Sequence, residues 1–415
     1  MVDGAKKSYA TKIRGQINRR QFMAGTGAAA FSFTVLKPEL VRGTQANSKI
    51  TLGMIGCGGR GTWIADLFLK HGGYQVVAAM DYFPEKSSAF GEKFKIEASR
   101  RYSGLMGYRR MLEKKVDAVA IESPPYFHPE QAAAAVDAGT HVFLAKPIAV
   151  DVPGCRSIEE SAKKASANKL CFLVDFQTRT DPLYQEAIQR VQKGDIGRIV
   201  CGETTYVAGS PFERQAEILR VDPSDPERRL HAWGLDRALS GDIITEQNIH
   251  SLDVGTWVLD AHPVCAYGTG GRKARTVGDC WDHFSVIFTF PEDLLVSFCS
   301  KQFGQGHDDI LCRYYGTEGT IDTHYFGDVR IRGKVPFEGG KVDNLYPNGA
   351  IRNIATFYED VTQGRYSNLT VAPSVRSNLT TILGRMAAYK RAEVTWDEMM
   401  KSEERLDARL KGLKD

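Results

Sequence analysis

The stretch SGDIITEQNIHSLDV, residues 240 to 254, places a carboxylate, an imidazole and a second carboxylate at spacings of four and three. On one continuous helix Glu246, His250 and Asp253 share a stripe, and Ile249, Leu252 and Val258 fall on the neighbouring stripe, which is then the buried one. An imidazole, titrating at about 6.5, suits the removal of an alcohol proton while the adjoining carbon gives up a hydride. Lys146, in AKPIAV, is the second candidate catalytic group. Its ammonium can hold the reacting oxygen and stabilise the negative charge that develops there. Glu246, one turn before His250, either orients the imidazole or binds a further hydroxyl. Asp253 either braces His250 or makes a structural hydrogen bond, and the second role is preferred. Arg179 and Gln177, in DFQTRTDP, are open between substrate contact and a domain-boundary salt bridge, and Trp257 reads as packing.

A hydride needs an acceptor. In GMIGCGGRG, Gly56, Gly58 and Gly61 have the spacing G-x-G-x-x-G, with Cys57, Gly59 and Arg60 completing the loop. The loop follows an apolar run and opens an amphipathic one, and Asp81 ends the next apolar run 20 residues after Gly61. That context makes the glycines a dinucleotide loop. Gly56 makes the tight turn, Gly58 lets backbone N–H groups approach a pyrophosphate, and Gly61 lets helix and strand pack closely. Asp81 accepts from ribose hydroxyls and repels a 2′-phosphate, which favours NAD over NADP.

These groups need elements to carry them. From residue 49 apolar runs (KITLGMIG, YQVVAAMD, VDAVAIE, THVFLAK, KLCFLVD) alternate with helical segments, the pattern of a doubly wound parallel sheet over residues 49–174. After Asp175 the runs GRIVCGETTYVAG, DHFSVIFTF, LLVSFCSKQF, DILCRYYG and GTIDTHYFG follow one another through Gly, Pro and Asp turns, and helical periodicity returns only near the end. Residues 175–415 therefore read as an α+β domain with a mainly antiparallel open sheet. The aperiodic stretch from 208 to 232 is placed near a cleft or an interface.

Two further motifs resemble those of the Gfo/Idh/MocA oxidoreductases. SPPYFHPE, matching at Ser123, Pro124, Pro125 and His128, is similar to the family's turn beside the nicotinamide ribose, which makes Ser123, Pro124 and His128 candidate cofactor contacts. AKPIAV is similar to its Glu-Lys-Pro signature, with Ala145 in place of Glu. Glu246 and His250 are similar to an Asp-x-x-x-His pair on a helix of the family's second domain. The resemblance covers about residues 49 to 400. It implies a Rossmann domain followed by a substrate domain, NAD chemistry on a sugar or polyol hydroxyl, and a homo-oligomer (dimer or tetramer). The candidate substrate contacts read from the residues are Lys146, Arg179, Glu246 and His250.

The remaining signals bound the setting. The formal charge of +4 is misleading, because residues 1–46 hold eight Lys or Arg against two acids and the rest of the chain is near −2. That excludes a nucleic-acid surface, which needs clustered positive charge. INRRQFMAGTGAAAFSFTVL resembles a twin-arginine signal, and its apolar run is too short and weak for a stable membrane span. The expected location is the periplasm or beyond, or the cytoplasm if the signal does not function. The eight cysteines are scattered without a C-x-x-C pair, and no metal site is expected. An exported enzyme has no replenished nicotinamide pool, so NAD is expected to stay tightly bound and be recycled in place. The leading function is a sugar, glycoside or polyol oxidoreductase. The alternatives are an NAD-dependent glycosidase working by transient oxidation and a non-catalytic sugar-binding member.

Overall fold

The structure is a computed structural model that describes residues 49–415. The signal-like segment through residue 46 lies outside the described residues. Among the described residues no helix is long and apolar enough to cross a membrane.

Chain order begins with β1 (Ile50–Ile55), α1 (Gly59–His71), β2 (Tyr74–Asp81), α2 (Pro84–Lys93), β3 (Arg101–Ser103) and α3 (Gly107–Glu113). It continues with β4 (Ala118–Ile121), α4 (His128–Asp137), β5 (His141–Ala145), α5 (Val152–Ala167) and β6 (Phe172–Asp175). The six strands form one parallel sheet in the order β3-β2-β1-β4-β5-β6. Its central strands are buried on both faces, as the unbroken apolar runs demand. Every strand points its C-terminal end at the same edge, the edge at which doubly wound folds bind ligands.

The second half adds α6 (Pro182–Gln192), β7 (Ile199–Ala208), α7 (Glu213–Val221), α8 (Pro226–His231), α9 (Arg237–Ser240), α10 (Ile243–Glu246) and α11 (Ile249–Leu259). Strands β8 (Cys265–Gly271), β9 (His283–Phe290), β10 (Leu294–Gln302), β11 (Asp309–Gly316), β12 (Gly319–His324), β13 (Asp328–Gly333) and β14 (Phe337–Lys341) follow. Last come α12 (Leu345–Gln363), α13 (Val371–Lys390), β15 (Val394–Thr395) and α14 (Trp396–Met400). The nine-stranded sheet runs β14-β13-β12-β11-β7-β10-β9-β8-β15 and is antiparallel except where β10 pairs with β7. In β9 the alternation is strict. Phe284, Val286, Phe288 and Phe290 face α13 and the core, whereas Ile287 on the other face is half exposed.

Two features depart from the sequence-based expectation. The stretch 240–254 is not one helix: α10 ends at Glu246 and α11 begins at Ile249, with Asn248 N donating to Ile243 O rather than to the carbonyl four residues back. The extra residue in that turn rotates Asp253 away from the stripe that Glu246 and His250 share. In addition, α12 returns to the first sheet, where Ala350, Ile354 and Phe357 join Leu52, Phe68 and Phe143 in one core. Tyr74 donates its hydroxyl to Ile354 O at 2.9 Å across the same contact. One face of the parallel sheet is thus completed by residues far beyond 174.

Candidate active site

The glycine loop fits a dinucleotide on steric grounds. Gly56 has φ +96°, and a Cβ there would stand 2.6 Å from the main chain of Glu122. At Gly61 a Cβ would fall 1.9 Å from Gly56 O, so α1 can lie this close to β1 only without one. Around Gly58 and Gly59 an added Cβ would meet nothing within 4 Å. That open space lies at the start of α1, whose first turn has no acidic residue and no side-chain cap. Free N–H groups and the positive end of the helix dipole make it a pyrophosphate cradle. Asp81 accepts from Cys57 N at 2.9 Å and Phe83 N at 3.0 Å, which fixes its carboxylate on the wall of the cleft. The cleft is walled by Gly56, Gly58, Asp81, Ser123 and Pro124 and roofed by Leu230, from the aperiodic stretch, and by Trp233 just after it. Bound NAD would supply the hydride acceptor.

A second cavity of about 400 Å³ adjoins it and shares Glu122, Ser123 and Trp233 with the first. Lys146, Glu246 and His250 all line it. Lys146 sits immediately after β5, and its Nζ donates to Glu246 O at 2.8 Å and stands 3.6 Å from Glu246 Oε1. Both side chains are nearly dry. Burial lowers the Lys146 pKa from its ordinary value, against the pull of Glu246. His250 is pushed well below the ordinary imidazole value by burial, then by Lys146 and Arg60. It is therefore neutral at pH 7, and its Nδ1 has no protein partner. Tyr206, Trp233, Tyr325, Phe326 and Tyr346 supply aromatic walls, surfaces on which the C–H faces of a sugar ring can lie.

Arg60 departs from its expected role as a cofactor contact. Its guanidinium turns to the substrate cavity, where Nε meets Glu122 Oε2 at 2.7 Å and Nη2 meets Asp175 Oδ2 at 2.5 Å. Ala145 pairs with Asp175, and Ile121 pairs with Leu144, so Glu122, the residue just after β4, continues the row of Ala145 on β5 and Asp175 on β6. The small side chain of Ala145 lets Arg60 span the gap between the two carboxylates. Tyr346 contacts Arg60 through its hydroxyl and stacks on Trp63 at 4.9 Å.

Other expected contacts are corrected. The His128 nitrogens face Ser123 O at 2.7 Å and Pro147 O at 2.8 Å, so the buried ring ties the Ser123 turn to the Lys146–Pro147 turn and offers no free polar atom to a cofactor. Arg179 is committed to Asp253 at 2.8 Å and stacks over Trp257, away from the cavity; it is the salt bridge and not a substrate contact. Asp253 also accepts from Ser377 Oγ at 2.6 Å and does not touch His250. Gln177 donates to Asp175. The Cys57 thiol turns inward to Met80 O, leaving only its main chain to shape the loop. Glu122, Asp175, Trp233, Tyr325 and Tyr346 were not singled out in the sequence. Only Trp233 carried a signal, one residue past the stretch flagged for its lack of period.

A glycine cradle at the C-terminal edge of a parallel sheet, opening onto a cavity with a buried lysine and a neutral histidine, defines a nicotinamide-dependent oxidoreductase. The chain belongs to the Gfo/Idh/MocA family: residues 50–172 match its NAD-binding Rossmann fold and residues 184–322 match a C-terminal domain of the same family. Inositol 2-dehydrogenase 2 of Saccharopolyspora erythraea is 28% identical over 281 residues, 66% of this chain and 73% of that protein. Levoglucosan dehydrogenase of Pseudarthrobacter phenanthrenivorans is 26% identical over 259 residues, 55% of this chain and 62% of that one. The fold is that of scyllo-inositol dehydrogenase from Lactobacillus casei, solved with NAD(H) and scyllo-inositol (TM-score 0.66, 19% identity, 84% of this chain and 100% of that one). It is equally that of aldose-aldose oxidoreductase from Caulobacter crescentus (TM-score 0.66, 20% identity, 84% and 99%).

Proposed function

We propose that this protein oxidises a hydroxyl of a sugar, glycoside or polyol, with the hydride passing to an NAD molecule that stays bound through the cycle. The observation that carries the proposal is the convergence of Lys146 and the neutral His250 on one cavity continuous with the dinucleotide cleft. Lys146 holds the substrate oxygen and favours its loss of a proton. His250, neutral, accepts that proton. Glu246 holds the ammonium in place through its carbonyl and carboxylate. The inositol and anhydrosugar dehydrogenases among the relatives support the substrate class.

Retention of NAD is supported by the roof of its cleft. Tyr82 donates its hydroxyl to Glu227 Oε1 at 2.9 Å, and Phe83 stacks on His231 at 3.6 Å. The segment 401–415 then lies over both: Arg229 donates to Ala408 O, Leu105 N to Lys414 O and Lys414 N to Tyr82 Oη. Such a roof slows the release of a dinucleotide held beneath it, which suits export of a folded, loaded protein by the twin-arginine route.

The test begins with the absorbance and mass of the nucleotide that co-purifies, followed by the change at 340 nm on adding inositols, free sugars and glycosides. A keto product with NADH formed is the expected result. Release of a free sugar with no net redox change would mean a glycosidase working by transient oxidation, and tight sugar binding without either change would mean a binding protein.

A further inference from the structure

The mechanism leaves one buried acid unused. The Glu122 carboxyl is fully covered, yet the residue lies on the boundary shared by the dinucleotide cleft and the substrate cavity. Arg60 engages Oε2, and Oε1 has no hydrogen-bond partner. Asp175, across Ala145 in the same row, differs: it accepts from Arg60, from Gln177 Nε2 at 2.6 Å and from Asn353 Nδ2 at 2.8 Å. Of the two carboxylates that flank Arg60, Glu122 is the one whose charge is poorly compensated.

We infer that Glu122 is the counter-charge of the oxidised nicotinamide, ionised while the ring is cationic and protonated once the ring is neutral. The balance closes without another reactant. A substrate C–H bond gives two electrons and its hydrogen to the nicotinamide, the substrate O–H bond gives its proton to His250, His250 returns to neutrality by passing a proton on to the Glu122 carboxylate across the cavity, and a C=O bond forms. The ring loses one positive charge as the Glu122 carboxylate gains one proton, so the net charge of the buried site is the same before and after the transfer. Returning the hydride reverses both transfers, which lets a closed site run the cycle in either direction. The inference rests on NAD binding in this cleft.

The groups facing Glu122 are Arg60 from α1, Asp175 from β6, Lys146 from the turn after β5 and Tyr346 from α12, with Glu246 and His250 across the cavity. Burial raises the Glu122 carboxyl to about 7, against Arg60 and with Asp175, so either protonation state is within reach at neutral pH. His128, beyond Ser123, is held neutral by burial.

Displacement of bound NAD⁺ by NADH, followed by NADH fluorescence between pH 6 and 8, measures the ratio of the two dissociation constants without any substrate. In the wild type the ratio Kd(NAD⁺)/Kd(NADH) is expected to rise as pH falls, approaching about tenfold per unit at its steepest, and E122Q is expected to flatten it. Proton uptake during the same displacement, read with an indicator dye in weakly buffered wild-type protein, gives an independent measure should E122Q fail to fold. A ratio independent of pH in the wild type, no proton uptake, or an unchanged slope in E122Q (which would assign the proton to Lys146) overturns the inference. Failure of the protein to bind either nucleotide would instead overturn the NAD reading on which it rests.

Discussion

Lys146 and Glu246 meet across the cleft between the two sheets: the ammonium donates to the Glu246 carbonyl at 2.8 Å and lies 3.6 Å from its carboxylate. One residue follows a strand of the parallel sheet and the other ends a short helix of the second half, so this pair exists only when both halves are assembled. The carbonyl contact belongs to the main chain and survives any substitution of the Glu246 side chain.

Lys146→Ala is therefore expected to cut turnover by about 10²–10⁴, the scale of a positioned proton-transfer group, while NAD stays bound. Glu246→Gln keeps the carbonyl anchor and is expected to cost less. Single-turnover rates of the 340 nm change of the bound nucleotide on mixing with a substrate from the panel, beside the nucleotide content of each variant, check both. Near-full activity in the alanine variant would remove Lys146 from the mechanism.

Acid should unfold the protein through its buried histidines. His128 is pushed down to about 4 by burial, and His250 is lowered in the same direction. The folded pKa lies below the ordinary 6.5, so the unfolded chain binds more protons between the two values and stability falls as pH drops through that window. For His128 alone the loss between pH 6.5 and 4 is about 3 kcal/mol. Melting temperatures across this range should show a steep acid limb, and His128→Gln, which cannot titrate, should make it shallower. An equally steep limb in that variant would place the titration elsewhere.

Gly61→Ala tests the cradle. Its Cβ would overlap Gly56 O, and main chain cannot step aside as a side-chain end can. Destabilisation of about 1–3 kcal/mol is expected from such overpacking, together with loss of the co-purifying nucleotide. Gly58→Ala, with nothing nearby in the protein, should fold normally and lose only nucleotide affinity. Calorimetry and mass spectrometry separate the two outcomes.

The roof over the dinucleotide should be loosened from its clamp. Tyr82→Phe removes the donor to Glu227 and the acceptor for Lys414 N, and His231→Ala removes the ring on Phe83. Each 1.4 kcal/mol lost from the closed state is expected to speed NAD release by about tenfold. Unchanged release in the double variant would mean that the roof does not gate the cofactor.

Much of this site was legible in the sequence because its parts obey local rules. The glycine loop, Asp81, Lys146 and His250 each sit at the end or start of an element whose period is plain, and a motif with fixed spacing carries its own geometry. Arg60 was misassigned and Arg179 left open because the partner of a long cation is set by tertiary contact: Asp175 lies 115 residues from Arg60, and Asp253 lies 74 from Arg179. His128 matched a motif, but burial under two turns gave both its nitrogens to carbonyls. Tyr346 and Glu122 had no local signature at all, since their importance arises only when α12 docks beside β4 and β6. The break at Asn248 escaped notice because the apolar spacing on either side is helical.

The placement of α12 on the first sheet has a consequence for biogenesis. Until Ala350, Ile354 and Phe357 have been synthesised, the nascent chain must carry Leu52, Phe68 and Phe143 without their cover, so a fragment ending near residue 174 is a sticky intermediate rather than a finished domain. The core beneath the nucleotide-binding sheet is thus completed late, by a helix from far along the chain, and a chain cut near residue 174 would be expected to aggregate before it could bind anything.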